Sequence, residues 1–335
     1  MAKIALLTPT FFHYSGIDRV VEQQAGEYSK KGHEVSVFAL DGDIKSKGYR
    51  LIIIGMPKNQ FIQRLYRLFF FLDFIKIRKT ALKLKDFDMA VSHFYPMNLI
   101  ASYAKKKYGT KYLFYNHGIG YSSLFSNIFE RLYMKLFGFF NSISLKNADL
   151  AVSISKFMQK ELKRETGIES KVIYNKIDKK KFNKRINGNQ LRKKLGLKNE
   201  KMLLFVGRLS PHKNIHSLLE IFKKINEKIP SRLIIVGKPT FRGYFKKLKN
   251  SAGKDVMFME EVDDRELPFY YAACDLYVTA SLWEGFNLPA AEAQAMGKKV
   301  VAFDLCSHPE IVKNGLLVEK NNLEAFANAA IKLLK

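Results

Sequence analysis

Residues Met202–Lys228 read MLLFVGRLSPHKNIHSLLEIFKKINEK. The apolar run Met202–Val206 has the length of a strand buried on both faces. A short loop follows, holding a glycine, a proline and the cations Arg208 and Lys213. From Ile215 a helical pattern runs to Lys228. Strand, loop and crossover helix together are the repeating unit of a parallel sheet.

The unit recurs along the chain. Strand candidates in the first half are Lys3–Thr8, Glu34–Ala39, Arg50–Ile54, Asp88–Ser92, Tyr112–Asn116, Leu150–Ser153 and Lys171–Tyr174. In the second half they are Met202–Val206, Arg232–Val236, Asp255–Met259, Leu276–Thr279, Lys299–Phe303 and Leu316–Val318. Segments such as Asp18–Lys31 and Pro289–Met296 suit crossover helices. The pattern predicts an α/β protein of two doubly wound, Rossmann-like domains facing across a cleft, residues 1–178 and 179–335. The boundary falls in Lys176–Lys201, which is charged and polar with little hydrophobic periodicity. Ligands of such sheets bind outside the carboxyl ends of the strands.

The 335 residues are 47% hydrophobic, which excludes a disordered chain. Lys and Arg number 57 against 31 acidic residues, a net charge of +26. That excess predicts an anionic partner: a phosphate-bearing substrate, a nucleic acid or a membrane surface. Cys274 and Cys306 make no disulfide framework and lack metal-site spacing. A reducing, cytoplasmic setting is expected. The most apolar run, Leu68–Leu72, is too short for a membrane span, and Thr8-Pro9-Thr10 closes the first apolar run too early for a signal peptide.

Four constellations carry chemistry. Thr8–Arg19, TPTFFHYSGIDR, joins the first strand to the first helix, and Gly16 there permits close approach of a phosphate to the helix N-terminus. A plain turn glycine explains it equally well. Tyr115–Gly120, YNHGIG, places His117 at a strand's carboxyl end. His93 also ends a strand and is its nearest rival; the other histidines have poorer placement. Phe205–Asn214, FVGRLSPHKN, sets Arg208 and Lys213 on one loop, suited to a diphosphate. Ser281–Ala295, SLWEGFNLPAAEAQA, puts Glu284 before a glycine-containing loop and Glu292 inside the following helix. Backbone N–H groups there can hold a phosphate while the carboxylates accept from hydroxyls.

FVGRLSPHKN, EGFNLPAAEA and SGIDRVVEQQAGEYSKKGHEV resemble the retaining, nucleotide-sugar-dependent glycosyltransferases of family 4, which have the GT-B fold. The likeness covers nearly the whole chain, in family order. It implies transfer of a hexose-type sugar from a nucleotide sugar to a lipid-linked or glycan acceptor, with retention of configuration. The first domain would take the acceptor and the second the donor. Gly16 would contact the donor phosphates. Arg208 and Lys213 would neutralise the departing diphosphate, with no metal and no cofactor. Glu284, Gly285, Phe286, Asn287 and Leu288 would hold the sugar and phosphate, Glu292 the ribose, and His117 the sugar near the reaction centre. Arg208→Ala and Lys213→Ala are expected to be folded yet nearly inactive. Departures from the family include Ser307-His308 in place of its usual Gly-Gly.

Lys58–Lys111 holds 12 basic and 3 acidic residues, a net of +9. With its aromatic residues, and those of Leu124–Ser144, it suits helices docked on an anionic membrane through Arg64, Arg67, Lys76, Arg78 and Lys79. Core helices with solvated lysines are the alternative. Two rival functions remain. One is another GT-B-type activity, such as a sugar-nucleotide epimerase. The other is a basic nucleic-acid-binding protein, which lacks a motif and whose charge is spread over both halves, so no nucleic-acid partner is expected.

Overall fold

The computed structural model describes residues 1–12, 16–44, 48–118 and 127–335. His13, Tyr14 and Ser15, the end of the YNHGIG segment (Ile119 and Gly120), and Leu124–Ser126 lie outside the described residues. The chain divides into two compact units, Met1–Asn175 and Lys176–Lys335.

The first unit is built on a seven-stranded sheet. Its strands are β1 (Lys3–Phe11), β2 (Glu34–Gly42), β3 (Arg50–Ile53), β4 (Met89–Ser92), β5 (Lys111–Asn116), β6 (Leu150–Ser153) and β7 (Lys171–Val172). Their order is β3-β2-β1-β4-β5-β6-β7, parallel throughout. The second unit has six strands: β8 (Lys201–Val206), β9 (Ser231–Val236), β10 (Val256–Met259), β11 (Leu276–Thr279), β12 (Lys299–Phe303) and β13 (Gly315–Val318). Their order is β10-β9-β8-β11-β12-β13, again parallel. Each sheet therefore reverses its winding once, between β1 and β4 and between β8 and β11. All the strands expected from the sequence are present.

β8 shows why the apolar runs are continuous. Leu203 and Phe205 point to one side of the sheet, into a core with Ile215, Phe222 and Phe326. Met202, Leu204 and Val206 point to the other, into a core with Tyr271, Tyr277 and Ala293. Alternate residues serve opposite cores, so none is left polar. The first unit's sheet packs Leu7, Phe38 and Tyr112 with Met97, Ile100 and Ala101 of the helix Met97–Tyr108. The charged segment Lys176–Lys201 belongs to the second unit. Phe182 and Leu197 anchor it in that unit's core. Arg192 adds hydrogen bonds to the Ala273 carbonyl at 2.9 Å and to Asp275 at 3.0 Å. Among the described residues, no helix is long and apolar enough to cross a membrane.

Two glycines close the ends of β8 and β9. Gly207 N–H donates to Val236 O at 2.9 Å, and Gly237 N–H to Met259 O at 2.9 Å. Gly237 has φ +149, and a Cβ there would sit 2.0 Å from Gly207 O. Neither backbone can retreat without breaking the ladder. Gly237→Ala is therefore expected to cost about 3 kcal/mol or more in chemical denaturation. Gly26→Ala, inside the helix Gly16–Lys30 with open space around its Cβ, should instead add about 0.5–1 kcal/mol. Equal effects for the two substitutions would contradict this packing account.

Candidate functional site

In the second unit the winding reverses between β8 and β11, where two loops meet. After β8 the chain passes Gly207 and the exposed Arg208 and enters one 3-10 turn, Pro211–Lys213. Asn214 ends that turn in a left-handed conformation, φ 54, and the helix Ile215–Asn226 begins. Leu282 N–H, on the loop after β11, donates to His212 O at 2.8 Å. This tie brings Lys213 to Glu284, and Lys213 Nζ donates to Glu284 Oε1 at 2.7 Å. The two side chains are only 14% and 9% exposed. Burial alone would raise the Glu284 carboxyl. The Lys213 ammonium and its hydrogen bond more than offset it and hold Glu284 below the usual carboxylate range. Burial and the neighbouring Lys213 push His212 down to about 3, so it is neutral at physiological pH.

The glutamate loop is held from behind. Ser307 donates to Glu284 O through Oγ at 3.0 Å. Asn287, left-handed with φ 63, caps the helix Leu288–Ala295 by accepting from Ala290 N–H at 3.2 Å. Its Nδ2 lies 2.8 Å from His308 Nε2, and His308 Nδ1 lies 2.7 Å from Phe303 O. A carbonyl only accepts, so Nδ1 of His308 carries the proton and Nε2 accepts from Asn287. Gly285, Phe286 and Asn287 are buried, and Leu288 opens the helix. Glu292 is buried in that helix and accepts from Tyr271 OH at 2.7 Å. Ser307 and His308 thus both hold this loop. The sequence showed their departure from the family pattern but not their bonding.

In the first unit Gly16 opens the helix Gly16–Lys30, and no heavy atom lies within 4 Å of the position its Cβ would take. Asp18 is buried and accepts from Phe12 N–H at 3.1 Å. His117 follows β5 and is buried, beside His93, which follows β4. Burial pushes His117 down to about 3.

A third feature is an apolar surface on the first unit. The helix Gln60–Leu68 exposes Phe61, Ile62 and Leu65, and the helix Ile128–Leu145 exposes Ile128, Phe129 and Leu132. Phe129 is 78% exposed and the nearby Leu72 is 72% exposed. The cations expected to face lipid are partly committed elsewhere. Arg64 forms a two-pronged ion pair with Glu130, and its guanidinium lies 4.8 Å from the Tyr133 ring centre. Lys76 Nζ donates to Gly55 O at 2.9 Å and to Tyr66 OH at 2.6 Å. Arg67 is deeply enough buried that desolvation lowers its pKa. Arg78 and Lys79 remain exposed. The expectation that all five cations face a membrane is thus corrected: Arg64 and Lys76 hold the first unit's own elements together.

Two family models match, one described as Glycosyltransferase Family 4 over residues 14–181 and one as Glycosyl transferases group 1 over residues 188–335. An uncharacterised glycosyltransferase of Methanocaldococcus jannaschii is 34% identical over 166 residues, 47% of this chain and 43% of that protein. The Escherichia coli UDP-Gal:alpha-D-GlcNAc-diphosphoundecaprenol alpha-1,3-galactosyltransferase is 32% identical over 202 residues, 57% of this chain and 50% of that protein. The matches thus span half or less of these relatives' lengths. The crystal structure of Anabaena HepE with UDP and glucose superposes with a TM-score of 0.78 at 20% identity, covering 100% of this chain and 90% of that one. That likeness shows a shared GT-B fold.

The buried ion pair generates a stability prediction. Lys213→Met leaves the Glu284 carboxylate buried and unpaired, which should cost about 3–5 kcal/mol. The double variant Lys213→Met/Glu284→Gln should recover most of that loss. The sign with pH follows from the depressed Glu284 pKa. The pair's contribution is full above the ordinary carboxylate pKa of 4.5 and is lost as pH falls through the lower folded value. Thermal unfolding of the three proteins from pH 3 to 7 checks both points. A single variant as stable as the parent at pH 7 would refute the pair's role.

Proposed function

This chain belongs to the GT-B glycosyltransferases of group 1/family 4 type, and from that premise we propose that it moves a hexose-type sugar from a nucleotide sugar to a lipid-linked or glycan acceptor, with retention of configuration. One observation carries the reading. Lys213 and Glu284 meet where the second sheet reverses its winding, and the exposed Arg208 lies on the same loop. That is where ligands of open α/β sheets bind.

Negative charge grows on the diphosphate as the glycosidic bond lengthens. A cation already fixed beside it stabilises that state more than the ground state. The Glu284 carboxylate keeps the Lys213 ammonium at the end of β8 before any donor arrives, and Arg208 adds a second cation on the same loop. Backbone N–H groups of residues 285–288 and the Glu284 carboxylate hold the sugar. Glu292, aligned by Tyr271, accepts from ribose, and Gly16 lets a phosphate approach the first helix. His117 meets the sugar near the reaction centre. Retention follows the family resemblance, with the donor phosphate taking the acceptor's proton on the same face. No metal is required, because side-chain cations carry the charge, and the reaction should persist in EDTA.

The lipid-linked acceptor is supported by the E. coli galactosyltransferase, whose name specifies a diphosphoundecaprenol-linked substrate. It fits a peripheral position at the cytoplasmic face of a membrane. Phe61, Ile62 and Phe129 would enter the headgroup boundary, with Arg78 and Lys79 beside anionic lipid. Phe61→Ser/Ile62→Ser/Phe129→Ser should lose most co-sedimentation with vesicles containing anionic phospholipid. Sedimentation equal to the parent's would count against the membrane assignment.

Kinetics test the chemistry. Arg208→Ala should lower kcat at saturating donor by about 100- to 1,000-fold, with a far smaller change in donor affinity. Glu292→Gln should mainly weaken donor binding, since ribose contacts are alike in ground and transition states. Near-parental kcat for Arg208→Ala would show that the diphosphate lies elsewhere.

A further inference from the structure

The first unit holds a second histidine that the chemistry above does not use. His93 follows β4 and His117 follows β5, and these strands are neighbours in the sheet, with Ser92 opposite Phe114. Their ends therefore lie side by side. The His93 backbone N–H donates to Leu7 O at 2.9 Å, which fixes the residue against β1. Its imidazole is fully buried, and its Nδ1 lies 2.9 Å from His117 Nε2. The rings stack at 5.2 Å with planes 29° apart, and the Tyr115 ring flanks both. Among the described residues, Nε2 of His93 is buried with no hydrogen-bond partner.

A nitrogen–nitrogen hydrogen bond needs one proton and one lone pair. Burial keeps both rings neutral near pH 7. Two proton arrangements then satisfy the bond. If His117 donates through Nε2, His93 must carry its own proton on the buried Nε2, a donor with nothing to accept it. If His93 donates through Nδ1, its Nε2 keeps only a lone pair, and the His117 proton sits on Nδ1. An orphaned buried N–H is rarer and costlier than an unsatisfied acceptor, so the second arrangement prevails.

We infer that His93 is a positioning residue: its Nδ1–H holds His117 in the Nδ1–H tautomer, so that His117 offers the transferred sugar a hydrogen-bond donor. The inference rests on the reading that His117 meets the sugar. It makes the ring's polarity a product of β4–β5 pairing, as second partners of histidines elsewhere set the tautomer. A neutral donor at that place selects for a sugar oxygen with a free lone pair.

Nitrogen-15 NMR of histidine-labelled protein at pH 7 tests this directly. Both residues should appear as neutral Nδ1–H forms. In His93→Phe, which keeps the ring's bulk but not the donor, His117 should move toward the Nε2–H form, and kcat should fall about tenfold, one hydrogen bond's worth. His93→Asn, whose amide can donate, should recover part of the rate. A parent protein with His117 as Nε2–H, or a His93→Phe protein with His117 still Nδ1–H, would overturn the inference. His117→Ala separates the two layers. If it transfers sugar at the parental rate while the tautomer shift is present, the sugar contact fails and tautomer control by His93 stands.

Discussion

The Lys213–Glu284 ion pair is the interaction on which the rest of the second unit's site depends. Two long side chains, 71 positions apart in sequence, meet at 2.7 Å with little solvent access. Neither charge could be buried alone at tolerable cost. Together they hold an ammonium in place at the end of a parallel sheet. The hydrogen bond from Leu282 to His212 and the Ser307 contacts to the Glu284 carbonyl keep the two loops in register. The proposed chemistry on a diphosphate needs a cation that is already oriented, and the pair holds one in place without substrate.

The first unit applies the same topological rule with different groups. Its winding reverses between β1 and β4, and Gly16, His93 and His117 all follow the carboxyl ends of β1, β4 and β5. Both units thus place their distinctive residues beyond strand ends at or beside a reversal. There, backbone geometry alone leaves room for a ligand. The strands beneath are apolar on both faces and rigid, and the loops carry the chemistry.

Much of this was legible in the sequence. The strands could be read because parallel strands covered on both sides are short, continuous apolar runs. Most ends were placed within a residue or two; β1 and β2 run three residues beyond their expected ends. Arg208, Lys213, Glu284 and Glu292 could be singled out from loop position and company. What could not be read were the partners. The Lys213 bond to Glu284, the Tyr271 bond to Glu292 and the contact of His93 with His117 each join residues more than 20 positions apart. Such pairings follow from strand order, which no local pattern contains. The commitments of Arg64 and Lys76 were missed for the same reason. A basic aromatic stretch looks alike whether its cations face lipid or a neighbouring helix.

The central claim is that the second unit's loops bind a nucleoside diphosphate sugar through that preset cation. Binding to the folded state alone raises its stability, by about 2.7 kcal/mol when ligand is at 100 times its dissociation constant. Thermal unfolding with a panel of nucleotide sugars, nucleoside diphosphates and the matching monophosphates measures it most directly. The account predicts a concentration-dependent rise in Tm with at least one nucleotide sugar and its diphosphate, and a much smaller rise with the monophosphate. No rise with any member of the panel, or an equal rise with monophosphate and diphosphate, would contradict it.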